Sequence, residues 1–188
     1  TSLPSGVSGS SLVLISEQTA SSSATIDFTS DIDSTYKEYV FKFINIHPAT
    51  DSVSFHFQSS TDGGSNYNVT TTSTTFNGAH SEDDTTVASL AYVTSTDQAQ
   101  GTSYQFINGS VGNDNDQSVS GTLHLFDPSS TTFVKHYMIR SQALVASDQS
   151  VDFYTAGYFN TTSAINAISF KFSSGNIDSG TIKMYGVV

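Results

Sequence analysis

The chain has 188 residues, 17 of them acidic and six basic, a formal net charge of -11, and neither cysteine nor tryptophan. Its length fits one domain, the lack of cysteine excludes disulfides, thiolate zinc sites and cysteine nucleophiles, and the negative charge opposes binding to a phosphate backbone. Ser and Thr supply about three in ten residues and charged residues only 12%, well under the ~25% of ordinary soluble domains, so the polar surface is built from short hydroxyls, which suits β-sheet.

In chain order, residues 1–11 ("TSLPSGVSGSS") read as a flexible leader with little to bury, in which Leu3, Pro4 and Val7 are the candidate contacts of a docking arm. The leader lacks the basic start of a signal peptide and no apolar run approaches the ~20 residues of a membrane span, so a soluble chain without membrane contact is expected. Residues 12–188 are expected to form one domain. Its first strand-like segments are "SLVLIS", "ATIDF" and "YKEYVFKFINI". In the next, "SVSFHFQ", Val53, Phe55 and Phe57 alternate with Ser54 and His56, the period of a strand with one buried face.

The following stretch, "QSSTDGGSNYNV", residues 58–69, admits a calcium loop, a sugar site or a plain turn. A three-residue loop of Asp62, Gly63 and Gly64 predicts a hairpin that sets Val69 opposite Phe57 and Tyr67 opposite Ser59, with the apolar residues on one face. Turn geometry thus explains the glycines before any ligand is invoked. "EDDTTVASLAYV", Glu82 to Val93, is the one helix candidate, of one or two turns. Beyond it come "SYQFINGSV", "SVSGTLHLF", "TFVKHYMIRSQAL", "VDFYTAGYF", "NAISFKFSS" and "GTIKMYGV". Many short strands separated by turn residues predict an all-β antiparallel β-sandwich of jelly-roll type, with Phe41, Phe43, Phe55, Phe57, Leu123, Leu125, Phe170 and Phe172 in its core.

Signatures of catalysis are missing. The five histidines, His47, His56, His80, His124 and His136, show no i, i+4 pair of a zincin, and nucleophile-elbow, P-loop and dinucleotide fingerprints are absent. His56 and His124 fall on the polar parity of their strands and are expected to be solvated or locally hydrogen-bonded. Among the carboxylate clusters, Asp114 and Asp116 in "GNDNDQS", flanked by Asn113 and Asn115, come nearest to a calcium loop, but no bidentate Glu follows, so a turn in which each side chain bonds its own backbone is preferred. No enzyme activity, cofactor or structural metal is expected.

Three segments, "SSSATIDFTSDIDSTYKEYVFKFINIHPATD", "DGGSNYN" and "SSGNIDSGTIKMYGV", resemble a family of small virion structural proteins of tailed, especially marine, bacteriophages, over nearly all the chain beyond the leader. The resemblance implies an all-β particle component. The reading it favours is a capsid decoration, or cement, protein on the exterior of the virion, partnered by the major capsid protein and forming a homo-oligomer or symmetric array. The alternative is a tail fibre or receptor-binding module that grips host-surface glycans with the loops around Tyr67, Asn113 and Asn115.

Overall fold

The computed structural model describes residues 11–188, so Leu3, Pro4 and Val7 lie outside the described residues. The fold is all-β. Its strands are β1 (Leu12–Thr19), β2 (Ile26–Phe28), β3 (Glu38–Pro48), β4 (Val53–Ser60), β5 (Thr71–Ser81), β6 (Ala88–Tyr92), β7 (Gln105–Val111), β8 (Val119–Phe126), β9 (Lys135–Val145), β10 (Gln149–Phe159), β11 (Ala167–Phe172) and β12 (Ile177–Val187), with one short 3-10 turn at Thr94–Thr96.

All strand pairs are antiparallel and they build two sheets. One runs β1-β12-β3-β8-β9-β10-β5-β6. The other runs β2-β11-β4-β7. A single residue pair, Val111 with Val145, joins β7 to β9, and the bridge Ser23–Ile177 ties the start of β2 back to β12, so the network nearly closes on itself. Strands β1, β3, β8 and β12 of the long sheet interleave along the chain with β2, β4, β7 and β11 of the short one, β4 and β7 being paired neighbours in the short sheet. The remaining strands, β9, β10, β5 and β6, extend the long sheet to one side.

Alternation explains the packing. In β9 every second residue from Lys135 to Val145 is buried, while His136, Met138, Arg140 and Gln142 are exposed. Between the sheets lies a cluster of phenylalanines centred on Phe170, whose ring lies 5.3 to 6.3 Å from those of Phe28, Phe41, Phe43, Phe55 and Phe57. All eight core residues expected from the sequence are buried.

Two local expectations fail. The hairpin does not form: Phe57 pairs with Gln105 and Phe170, and Ser59 pairs with Ile168. Both edges of β4 are occupied by β7 and β11, which leaves none for residues 67–69, and the chain instead crosses to the other sheet, where β5 pairs with β10. The turn chemistry survives the change of topology. Gly63 and Gly64 take φ of +71° and +88°, and the Asp62 carboxylate accepts from Ser60 Oγ at 2.6 Å, Asn66 N at 2.9 Å and Asn66 Nδ2 at 2.7 Å. Those donors hold the Asp62 carboxyl down to about 2. The second failure is Glu82 to Val93, which forms a turn followed by the exposed strand β6, because Thr and Val disfavour a helix and β5 offers a free edge.

Candidate interaction surface

The expected loop sites do not converge. Val53 pairs with Val111 at one end of β4 and Phe57 with Gln105 towards the other, so the loop of Asn113 and the loop of Tyr67 lie at opposite ends of the sandwich. Tyr67 is half-buried, with its hydroxyl oxygen sealed and without a hydrogen-bond partner, and burial together with the neighbouring Asp27 raises it to about 12. Asn113, Asp114, Asn115 and Asp116 are exposed. Their loop is tied by its own backbone: the Asp114 carbonyl accepts from Gln117 N at 2.9 Å and meets His47 Nε2 at 3.1 Å, and Asn113 N donates to Asp51 at 3.3 Å. Among the described residues no three His, Cys, Asp or Glu side chains assemble into a metal-holding group. Asn108, in the segment "NGS" of β7, is fully buried, and its Nδ2 donates to Ser141 Oγ at 3.1 Å.

The histidines on polar parity have different surroundings. His124 Nδ1 lies 2.6 Å from Glu38 Oε1 on the adjacent strand, a local partner as expected. His56 is half-buried: it lies 6.0 Å from the Phe106 ring, and burial, helped by the Lys171 charge, holds it down to about 4.

What the structure assembles instead is a row across the outward face of the long sheet. Cross-strand partners run Tyr92 (β6), Phe76 (β5), Tyr154 (β10), Arg140 (β9), Thr122 (β8), Lys42 (β3), Lys183 (β12) and Glu17 (β1). Residues directly opposite in neighbouring strands share a face, so the row is a consequence of register alone. Phe76 and Tyr154 stack in parallel at 4.9 Å, and the Arg140 guanidinium lies 5.1 Å from the Tyr154 ring. Asp152 holds that guanidinium from the side at 2.9 Å and raises its already high affinity for a proton. Beyond Arg140, Lys42 lies 5.2 Å from the Tyr185 ring and Lys183 pairs with Glu17 at 3.0 Å.

Large apolar groups on this face remain in water: Phe76 is 44% exposed, Met138 56%, Tyr92 60% and Leu90 79%. Next to Met138 the surface dips into a groove of about 530 Å³ bordered by Phe126, His136, Ala156 and Tyr158. Three of the chain's six basic residues, Arg140, Lys42 and Lys183, stand in the one row of a strongly acidic protein. The result is a stripe, aromatic at one end and carrying the ion pairs Arg140–Asp152 and Lys183–Glu17 with Lys42 along the rest, on a sheet whose central strands are packed on their opposite face. Such a stripe has the composition of a protein contact, where aromatic residues, Met and Arg are enriched.

Sequence reasoning missed these residues. "TTTSTTF" hides Phe76 among hydroxyls, and Tyr154 and Arg140 were passed over although "KHYMIRSQALV" alternates perfectly. The signal was an inverted parity: large side chains on the polar positions of strands that already had a buried face. Compared with protein-family models, with curated proteins and with solved structures, the chain matches none.

Proposed function

We propose that this chain is a non-enzymatic structural component of a phage particle, a decoration protein that docks on the exterior of the head through the outward stripe Phe76–Tyr154–Arg140. The observation that carries the reading is that stripe: exposed aromatic rings held by stacking and a guanidinium on the outward face of a sheet, in one row with three of the chain's six basic residues. A face of this kind suits a protein surface bearing an apolar seam, because Tyr and Phe supply contact area at low entropic cost and the charged pairs beside them give orientation.

Two further features support it. We read the orders β1-β12-β3-β8 and β2-β11-β4-β7 as a jelly roll that carries β5, β6, β9 and β10 as a lateral extension. The sequence resemblance to virion structural proteins points the same way. In an array on the capsid lattice each copy needs only modest affinity. The fibre-tip alternative has less support, since Tyr67 and Asn113 face opposite ends of the sandwich and cannot grip one glycan together.

Quantitative mass spectrometry of purified particles tests the assignment. Hundreds of copies per particle are expected for a head decoration; a handful of copies confined to the tail, or none, overturns it.

A further inference from the structure

Strand β6 is exposed at every residue from Ala88 to Tyr92, and among the described residues β5 is its only pairing partner. An unpaired edge is a template for another strand, and natural edges are guarded by Lys, Pro or a covering segment. Among the described residues no segment covers this edge, and residues 85–96, "TTVASLAYVTST", contain no charged residue and no proline. We infer that β6 pairs with β6 of a second copy about a two-fold axis, joining two long sheets edge to edge.

The backbone sets the register. Ser81 N donates to the Val87 carbonyl at 2.9 Å and Val93 N to the Thr75 carbonyl at 2.9 Å, so Val87 and Val93 turn their polar backbone groups toward β5. Because that direction alternates along an antiparallel strand, Ser89 and Ala91 also face β5, while the N–H and C=O groups of Ala88, Leu90 and Tyr92 face the open edge. A two-fold axis at Leu90 places Leu90 opposite its copy as a hydrogen-bonded pair and Ala88 opposite the copy's Tyr92. Every outward N–H then finds a carbonyl. Shape agrees with hydrogen bonding, for the small Ala88 leaves room for the Tyr92 ring, and the two Leu90 side chains, each 79% exposed in the single chain, cover one another.

Charge selects the same strand. Copies of a chain with net charge -11 repel, so contact between them is favoured where the surface is neutral. The nearest carboxylates lie outside the five-residue ladder, and three of them are held by local partners: Asp97 accepts from the Tyr92 hydroxyl, Asp84 lies 3.2 Å from His80, and Asp83 is wrapped by Ser81, Thr85 and Thr86. A five-residue ladder buries less than the ~1,000 Å² typical of a stable interface, so the dimer is weak in free solution.

Two measurements test this without reference to any particle, so the pairing and the decoration reading stand or fall separately. In sedimentation equilibrium up to several hundred micromolar, the dimer fraction of the native chain is expected to rise with concentration, whereas Leu90→Lys stays monomeric with unchanged melting. In a chain without cysteine, Leu90→Cys is expected to give a covalent dimer on mild oxidation, because Cα atoms of a hydrogen-bonded antiparallel pair lie ~5.5 Å apart. Phe133→Cys, exposed at a site remote in sequence from β6, is expected to give none. Native chain that is monomeric throughout, association unaffected by Leu90→Lys, or equal cross-linking at both positions overturns the inference.

Discussion

The two ends of the sandwich are filled with different chemistry. Between β3, β8 and β12 on one side and β2, β4 and β11 on the other, Phe28, Phe41, Phe43, Phe55, Phe170 and Phe172 make an interior of rings with no polar atom among their side chains. Under the extension, where β5, β9 and β10 face β4 and β7, the interior is threaded by hydroxyls and amides: Thr71 Oγ1 with Tyr137 OH at 2.9 Å, Thr75 Oγ1 with Thr155 Oγ1 at 3.1 Å, and Ser141 Oγ donating to the Ile107 carbonyl at 2.8 Å. The phenylalanine end derives its stability from burial, which is non-directional. The hydroxyl end depends on satisfied pairs, whose loss leaves a buried partner stranded. The stripe proposed to dock is carried by the second kind of interior, whose directional bonds tie β5, β9 and β10 together.

That contrast predicts a graded set of effects. Phe170→Ala, at the centre of five rings, is expected to cost about 3–5 kcal/mol in denaturant unfolding. At the other end, Thr75→Val strands the Thr155 hydroxyl and is expected to cost about 1–3 kcal/mol, while the double change Thr75→Val with Thr155→Val recovers most of it, because both polar groups then leave together. Equal losses in the single and double variants would break the proposed difference between the two interiors.

A third effect comes from pH. His56 is held near 4 in the fold against an ordinary value of 6.5, first by burial and then by Lys171. Between those values the unfolded chain binds the proton more readily, so the stability this group provides is full above about 6.5 and is lost as pH falls to about 4, on the order of 2 kcal/mol. Unfolding midpoints of the native chain and His56→Gln, followed from pH 7 to 4, are expected to show the steeper fall in the native chain. Asp62, lowered to about 2, acts in a separate window: its contribution is present above 3.8 and disappears only as pH falls through about 2. The smallest effect on stability is expected from the stripe itself. Tyr154→Ser loses the Phe76 stacking and the Arg140 contact on the outward face and is expected to cost about 1 kcal/mol.

The difference between the two interiors also decides what the sequence discloses. Phe55 and Phe57, Leu123 and Leu125, and Phe170 and Phe172 alternate with polar neighbours, and each pair is buried where parity puts it. In β5 the inward positions include Thr71 and Thr75 and the outward ones Thr72, Thr74 and Phe76, so parity is masked by one residue type on both faces. The expected hairpin fails for the same reason. Glycines at 63 and 64 announce a reversal, but they do not tell whether the chain returns beside β4 or crosses to the other sheet; that is settled by β7 and β11, which come later in the chain and occupy both edges of β4. The stripe was legible only in part, since Tyr154 and Arg140 stand on correctly placed strands, yet their stacking requires the β9–β10 and β10–β5 registers together.

The central claim is that the Phe76–Tyr154–Arg140 face is the surface by which the protein docks on the head. Its most direct test is re-binding of purified chain, native and Tyr154→Ser, to particles stripped of it. The account predicts saturable binding by the native chain and at least roughly tenfold weaker binding by Tyr154→Ser at a temperature where both remain fully folded, a loss of about 1.4 kcal/mol or more. Equal binding by the two would contradict it.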